Sequence, residues 1–408
     1  MWSLCRSNVL HKTLVAQLNT CCRLQAMKTA GKNLPKVYIT RRIPPDGLKA
    51  LQQAGSCEIE QWDSDDPVPR SELLKKVSGI HALYCLLTEK IDKEVLDAAG
   101  PSLTVVSTMS VGYDHLSLEE LKNRGIRVGF TPDVLTEAVA ELTIALLLAT
   151  SRRLIEAVEE AKNGGWGTWK PLWMCGSGLT ESTVGILGLG RIGPTCTEIV
   201  YHQHHSQPRR SLQSKVHVTF IQHFSVNYNR DLNVYRVWYE ARIPGEAIVN
   251  RLRPFGVNKF LYNDIAPREE LAAKISVDFV SLEELAKQSD FLIVCCALTP
   301  ETQGMCNKQL FSKMKRSAVF INTSRGAVVN QEDLYHALAS GQIASAGLDV
   351  TVPEPLPTNH PLFKLKNCVI LPHIASATVE TRNAMAALAA HNLLAGLKGE
   401  AMPKELKL

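Results

Sequence analysis

The sequence predicts an α/β protein built from two doubly wound parallel-sheet domains, and three observations carry that reading. Short apolar runs alternate with amphipathic segments along most of the 408 residues, as strands and helices do when helices cover both faces of a parallel sheet. One apolar run, Val184 to Leu187, breaks into the glycines Gly188, Gly190 and Gly193. The later runs end in polar or special residues, at the carboxyl edge where an open α/β sheet places its ligand.

Composition narrows the function classes. A 45% hydrophobic content gives the chain enough apolar material for one substantial core or two. The net charge of +5 is small for this length, and beyond residue 36 the basic side chains are dispersed, which argues against a nucleic-acid partner. The longest apolar run, Leu142 to Ala149, is too short to cross a bilayer, which takes roughly 20 residues, so a soluble chain without a membrane partner is expected. Eleven cysteines, an odd number with no Cys-x-x-Cys, fit a reducing compartment better than a disulfide framework.

Residues 1–35 carry Arg6, Lys12, Arg23, Lys28 and Lys32 with no acidic residue, the first carboxylate being Asp46. A cytoplasmic protein with an upstream extension, Met27 being a second start, is expected; the alternative is a mitochondrial transit peptide, whose profile this segment also has. Strand and helix signals begin at Val37-Tyr38-Ile39-Thr40 and at Leu48 after the turn Pro44-Pro45-Asp46-Gly47. They continue through Ile80 to Leu87 (strand), Leu103 to Ser107 (strand), Leu116 to Arg124 (helix) and Ile126 to Val128 (strand). The apolar-periodic segment Val134 to Leu154 predicts one long helix able to bridge two domains. Three of the six tryptophans follow in the glycine-rich stretch Asn163 to Trp173. Either a partner subunit or substrate covers them, or they fold back on their own core.

At Gly188 the chain should turn tightly, and Gly190 should let backbone N–H groups approach a pyrophosphate. A third glycine should let the following helix pack against the strand and aim its N-terminus at the phosphates. That helix does not follow Gly193: residues 194–244 are polar and hold five of the twelve histidines. His202, His204 and His205 lack acid or cysteine partners at metal spacing, so no metal site is expected. The segment reads as a looped-out insertion or an exon-boundary error. Gly245 to Val257 supplies the missing helix, stopped by Pro254 and Gly256, and either Gly193 or Gly245 can be the third glycine. Lys259 to Tyr262 is the next strand, ending at Asn263-Asp264. A carboxylate at Asp264 suits a ribose and repels a 2′-phosphate, whereas Arg268 attracts one, leaving NAD and NADP both open as the cofactor.

The remaining strands are Phe291 to Ala297, Ala318 to Thr323, Ala346 to Val350 and Cys368 to Leu371. The ends of the last three, or the loops that follow them, supply Arg325, Glu354 and His373. Together they suit reduction of a 2-oxo acid. A guanidinium holds the carboxylate and polarises the ketone, an imidazolium protonates the oxygen as hydride reaches carbon, and a carboxylate beside the imidazole favours its charged form and fixes its orientation.

The glycine motif, Ser324-Arg325-Gly326, Gly347-Leu348-Asp349-Val350, Pro353-Glu354-Pro355 and Pro372-His373-Ile374-Ala375-Ser376 together resemble the D-2-hydroxyacid dehydrogenase family. The resemblance covers Lys36 to Leu408 apart from the insertion, which the family lacks. Within it, Thr108 to His115, the Trp166 to Trp173 loop, Leu356 to Leu362 and the C-terminal Glu405-Leu406-Lys407-Leu408 resemble the animal enzymes that reduce glyoxylate and hydroxypyruvate. It implies a Rossmann-like NAD(P)-binding domain over 135–378 and a flavodoxin-like, discontinuous substrate domain over 36–134 and 379–408. It implies Arg325, Glu354 and His373 as the catalytic set, with Val111, Gly112 and Ser376 near the substrate. Further implied are a homodimer in which Trp169 reaches the partner's site, and cofactor contacts from Gly190, Arg191, Ile192, the Asn263 to Arg268 loop, Ala297, Thr323, Arg325, Asp349 and Ala375. Asp264-Ile265 stands where this enzyme type tends to carry a basic residue for a 2′-phosphate, which weakens the case for strict NADP use.

Overall fold

The structure is a computed structural model that describes residues 34–189, 198–202, 225–229, 234–238 and 244–408. The basic N-terminal segment through residue 33, and with it the targeting expectation, lies outside these residues.

Two sheets organise the chain. The first contains β1 (Lys36–Ile39), β2 (Glu58–Gln61), β3 (Ala82–Cys85), β4 (Val105–Thr108), β5 (Arg127–Gly129) and β16 (Glu405–Leu406) in the order β16-β5-β4-β3-β1-β2. All its pairings are parallel except β16 on β5. Residues of β3 alternate between two cores, Ala82 and Tyr84 on one face, Leu83 and Cys85 on the other, as the period of two requires. One face is covered by α2 (Arg70–Lys76), α3 (Lys93–Ala99) and α4 (Leu118–Asn123). The other is covered by α1 (Pro45–Ala54) and the C-terminal helix α12 (Val379–Leu397), which buries Met385, Ala386, Ala389, Ala390 and Leu393. Tyr84 Oη and Ser107 Oγ donate to the α12 carbonyls of Ala386 (3.2 Å) and Ala389 (2.8 Å), tying the chain's end to the first sheet.

The second sheet is entirely parallel, in the order β11-β10-β6-β12-β13-β14-β15. Its strands are β6 (Thr183–Leu187), β10 (Lys259–Asn263), β11 (Asp278–Phe279), β12 (Phe291–Val294), β13 (Val319–Asn322), β14 (Ser345–Leu348) and β15 (Cys368–Ile370). Strand order reverses at β6, so the crevice between β6 and β12 is the switch point where such a sheet binds ligand. On β12, Leu292 and Val294 face one core and Phe291 and Ile293 the other. The strand is buried on both faces, which is why it reads as an unbroken apolar run.

The segment expected as one helix holds one, two residues shorter at its start and three at its end, and a second helix begins at its last residue. Helix α5 (Thr136–Ser151) packs on β13, β14 and β15 of the second sheet, and α6 (Leu154–Lys162) starts after Arg153, whose φ of 54° breaks the helical path. Between β6 and α7 (Pro244–Leu252), strands β7 (Glu198–His202), β8 (Ser225–Asn229) and β9 (Val234–Trp238) form a separate antiparallel sheet in the order β7-β9-β8. His204, His205, His217 and His223 lie outside the described residues. Among the described residues no cluster of His, Cys, Asp or Glu could hold a metal, and no helix is long and apolar enough to cross a membrane.

Candidate active site

The glycine turn ends β6. Gly188 has φ of 94°, and a Cβ there would lie 2.7 Å from the backbone N and Cα of Cys296, so both conformation and space demand glycine. Gly245 has the packing that a third glycine needs. It is buried in the first turn of α7, where a Cβ would meet Leu189 Cδ1 at 3.0 Å, Gly188 O at 3.2 Å and Ile186 Cγ2 at 3.2 Å. The helix thus packs onto β6 through a position that tolerates no side chain without adjustment. Gly190, Arg191, Ile192 and Gly193 lie outside the described residues.

Asp264, just past β10, accepts a hydrogen bond from Leu189 N (3.1 Å) of the glycine turn and one from Arg268 Nε (3.2 Å), both on Oδ2, while Oδ1 accepts from Ile265 N (2.7 Å). Arg268 is thus paired with this carboxylate through Nε while its side chain stays 40% exposed. Asn263, implied as a cofactor contact, turns its side-chain amide away to donate to Val280 O (2.8 Å). Ala297 follows β12, where its carbonyl accepts from Thr302 Oγ1 (2.6 Å), and Thr323 is buried with Oγ1 2.8 Å from Thr143 Oγ1.

Buried Asn322 shapes the turn that presents Arg325. Its Oδ1 accepts from Ser324 N (3.0 Å) and Ser324 Oγ (2.9 Å), and its Nδ2 donates to Arg325 O (2.9 Å). The Arg325 guanidinium crosses to the first domain, where Nε donates to Asp114 Oδ1 at 3.1 Å. It lies over Gly112 so closely that a Cβ there would sit 1.8 Å from Nη2. Val111 and Gly112, half-buried, form the facing loop after β4.

Glu354 and His373 come together as expected of an acid and its orienting carboxylate, Oε2 lying 2.7 Å from Nδ1, while Oε1 accepts from Thr351 N (3.0 Å). Burial disfavours the Glu354 carboxylate, but the hydrogen bond and charge of His373, the Thr351 N–H and the Arg325 charge outweigh it, and its pKa lies below the ordinary value. His373 itself has φ of 56°, a strained conformation for a non-glycine residue that costs about 1–3 kcal/mol. Asp349 holds the strain in place: its carbonyl accepts from His373 N (2.9 Å), and its carboxylate accepts from Ile374 N and Ala375 N, both at 2.8 Å. Asp349 and Ala375, implied as cofactor contacts, thus spend these polar groups on each other, and Asp349 is 1% exposed. Ser376 follows, half-buried.

Trp169 stands apart from this cluster. It is 83% exposed, Trp166 71% and Leu172 87%, so Trp166 and Trp169 do not fold back on their own core, whereas Trp173 is half-buried. Sequence reasoning missed Asp114, Asn322 and His115. Asp114 carried a legible signal, an acid directly after the Val111-Gly112 loop at a strand's carboxyl end.

Residues 144–204 and 242–375 match the family model described as D-isomer specific 2-hydroxyacid dehydrogenase, NAD binding domain, which passes over most of the insertion. The human protein named glyoxylate reductase/hydroxypyruvate reductase is 58% identical over 92% of this chain and 98% of its own length. The mouse protein of the same name is 55% identical over the same shares. Among solved structures, a Thermus thermophilus protein superposes with a TM-score of 0.73 at 37% identity, covering 91% of this chain and 100% of that one. An NADPH-dependent glyoxylate/hydroxypyruvate reductase from Sinorhizobium meliloti, solved with NADP and malonate, does so at 0.67 and 29%, covering 91% and 96%. The chain belongs to the D-isomer specific 2-hydroxyacid dehydrogenase family.

Proposed function

We propose that this protein reduces glyoxylate to glycolate and hydroxypyruvate to D-glycerate, with NADH or NADPH as hydride donor. The observation that carries the reading is the Glu354–His373 pair at 2.7 Å, set beside Arg325 at the carboxyl edge of the second sheet. The residues present fit a dinucleotide: Gly188 and Gly245 keep the β6–α7 junction free of side chains, and Asp264 sits at the end of β10 where a ribose binds. When bound, that cofactor supplies the hydride; the rest of the chemistry belongs to the protein. Arg325 pairs with the carboxylate of the 2-oxo acid and draws electron density toward the ketone oxygen. His373, its Nδ1 engaged by Glu354, has Nε2 to deliver a proton to that oxygen. Glu354 stabilises the imidazolium before transfer and keeps the ring from turning.

A homodimer accompanies this reading. Leu154, Ile155 and Val158 on α6 and Trp166, Trp169 and Leu172 beyond it are all exposed, an apolar surface that a second copy would cover. The test is a spectrophotometric assay of the full-length chain with hydroxypyruvate and with glyoxylate, each with NADH and with NADPH. Turnover within ~1–1000 per second supports the reading, and none in all four combinations overturns it.

A further inference from the structure

Arg325 and Asp114 belong to different domains, and their contact spans the cleft. The two partners differ in how firmly they are held. Asp114 sits on a loop fixed from several sides. Ser110 Oγ donates to Gly112 O (2.6 Å), Thr108 Oγ1 lies 3.0 Å from both Ser110 Oγ and His115 Nε2, and Ile91 N donates to His115 O (2.9 Å). Thr131 N caps the start of the same loop by donating to Ser110 O (2.8 Å). Arg325 is a long side chain rooted in the other domain, and its only fixed contact within its own turn is Nη1 donating to Ser324 O (2.9 Å). Nε reaches Asp114 Oδ1, and Nη2 lies against the bare α-carbon of Gly112. Every nitrogen of the guanidinium is thus placed, two by hydrogen bonds and the third by contact.

A partly exposed ion pair adds little to stability, so the value of this one lies in geometry. A bidentate grip on a carboxylate needs the guanidinium plane set correctly, and small misplacements of a reacting group carry large kinetic penalties. We infer that Asp114 is a positioning residue for the reaction: its rigid carboxylate sets the plane of the Arg325 guanidinium across the cleft, presenting Nη2 over Gly112 to the carboxylate of the 2-oxo acid. The arrangement also makes the orientation of Arg325 depend on the two domains being together. This inference rests on the reductase reading.

The opposing outcome follows from charge alone. A second anion beside Arg325 competes with the substrate's carboxylate, and if competition governs, removing Asp114 tightens substrate binding. Full-length Asp114→Ala and Asp114→Asn, the latter keeping a neutral oxygen acceptor, separate the two. The expected result for Asp114→Ala is a loss of about tenfold or more in kcat/KM for hydroxypyruvate, most of it as raised KM. The inhibition constant of oxamate, a 2-oxo acid mimic, should rise in parallel, while NADH affinity stays unchanged and the thermal midpoint falls by no more than a few degrees. Asp114→Asn should recover part of the loss, which a merely structural role would not produce. An unchanged or lowered KM in Asp114→Ala overturns the inference. Wild-type turnover judges the reductase reading separately. Should the wild type turn over neither acid, calorimetric binding of oxamate to wild type and Asp114→Ala in the presence of NADH still decides the positioning role by the same signs.

Discussion

His373 Nδ1 lies 2.7 Å from Glu354 Oε2, so of the two ring nitrogens only Nε2 is left to face a substrate. Glu354→Gln keeps the shape of that partner and removes its charge. The expected result is a fall in kcat of about 100-fold or more with a much smaller change in KM, since general acid catalysis contributes ~10²–10⁴. Because the two residues act as a unit, Glu354→Gln combined with His373→Asn should be little slower than His373→Asn alone. Steady-state kinetics of the three variants check this, and multiplicative losses would show the pair to be independent.

Gly112 offers a cleaner separation of activity from stability. The Cβ of Gly112→Ala would land 1.8 Å from Nη2 of Arg325, the far end of a long side chain, and its three nearest neighbours are all side-chain atoms. Arg325 should swing aside at little energetic cost. The thermal midpoint is expected to shift by no more than a degree or two, while kcat/KM drops ~10–100-fold through displacement of the group that grips the substrate. Differential scanning fluorimetry beside steady-state kinetics reads both, and wild-type kinetics in the variant would mean that Arg325 is not where substrate binds.

Asp264 pairs with Arg268 through Nε, and a carboxylate just past the second strand of such a fold suits a ribose hydroxyl and repels a 2′-phosphate. The wild type is therefore expected to favour NADH. Asp264→Asn keeps an acceptor for Leu189 N–H, frees Arg268 and removes the charge, so the ratio of kcat/KM for NADPH over NADH should rise about tenfold, equivalent to ~1.4 kcal/mol. An unchanged ratio would place cofactor discrimination elsewhere in the site.

Half-buried His115 gives a pH dependence with a defined sign. Burial, helped by the Arg325 charge, lowers its pKa from 6.5 to about 4, against the pull of Asp114 and Glu89. The unfolded chain therefore takes up a proton near pH 6.5 that the folded chain refuses until about pH 4. Stability is fully present above pH 6.5 and is lost at ~1.4 kcal/mol per pH unit as pH falls through that window, approaching ~3 kcal/mol in all. Asp114, Glu89 and Glu354, held below their ordinary values, also lose stability on acidification but only nearer pH 4. Urea midpoints at pH 7 and pH 5 should thus fall further for wild type than for His115→Gln, and equal falls would remove His115 from the account.

The two-sheet architecture was legible because strands buried on both faces, such as Phe291 to Val294, stand out as apolar runs ending in polar residues. The edge strands β2 and β16 were not: Glu58-Ile59-Glu60-Gln61 is half-exposed and carries two carboxylates, and Glu405-Leu406 is two residues long. The helix expected over Val134 to Leu154 ends at Ser151, and the left-handed backbone at Arg153, which apolar spacing does not reveal, separates it from the next helix. Arg325, Glu354 and His373 were found because each follows a strand end. Asp114 had no assigned role because its partner lies 211 residues away, and pairing at that distance is a property of the closed fold. The packing of Gly245 against Leu189 and Ile186 could not be read from spacing because it is a tertiary contact, and Gly193, the other candidate third glycine, lies outside the described residues.

That packing frames the most consequential test, on the insertion. In an uninterrupted fold of this kind the glycine turn runs directly into the helix, whose N-terminus carries roughly half a positive charge toward the pyrophosphate. Here residues 194–244, including strands β7, β8 and β9, stand between that turn and Gly245. Deleting residues 194–245 yields the same chain as deleting 193–244, with one glycine leading straight into Glu246. Closing so long a loop costs only a few kcal/mol, growing slowly with length, so folding is expected in both forms and their thermal midpoints should be close. Cofactor binding should differ. NADH affinity is expected to tighten about tenfold or more on deletion, as the turn and helix recover a direct connection, with kcat on hydroxypyruvate rising or holding. Isothermal titration with NADH and parallel turnover measurements on the two chains give the answer. Equal affinity would show that the inserted strands leave the pyrophosphate site intact and that the full-length chain is as competent as the shortened one.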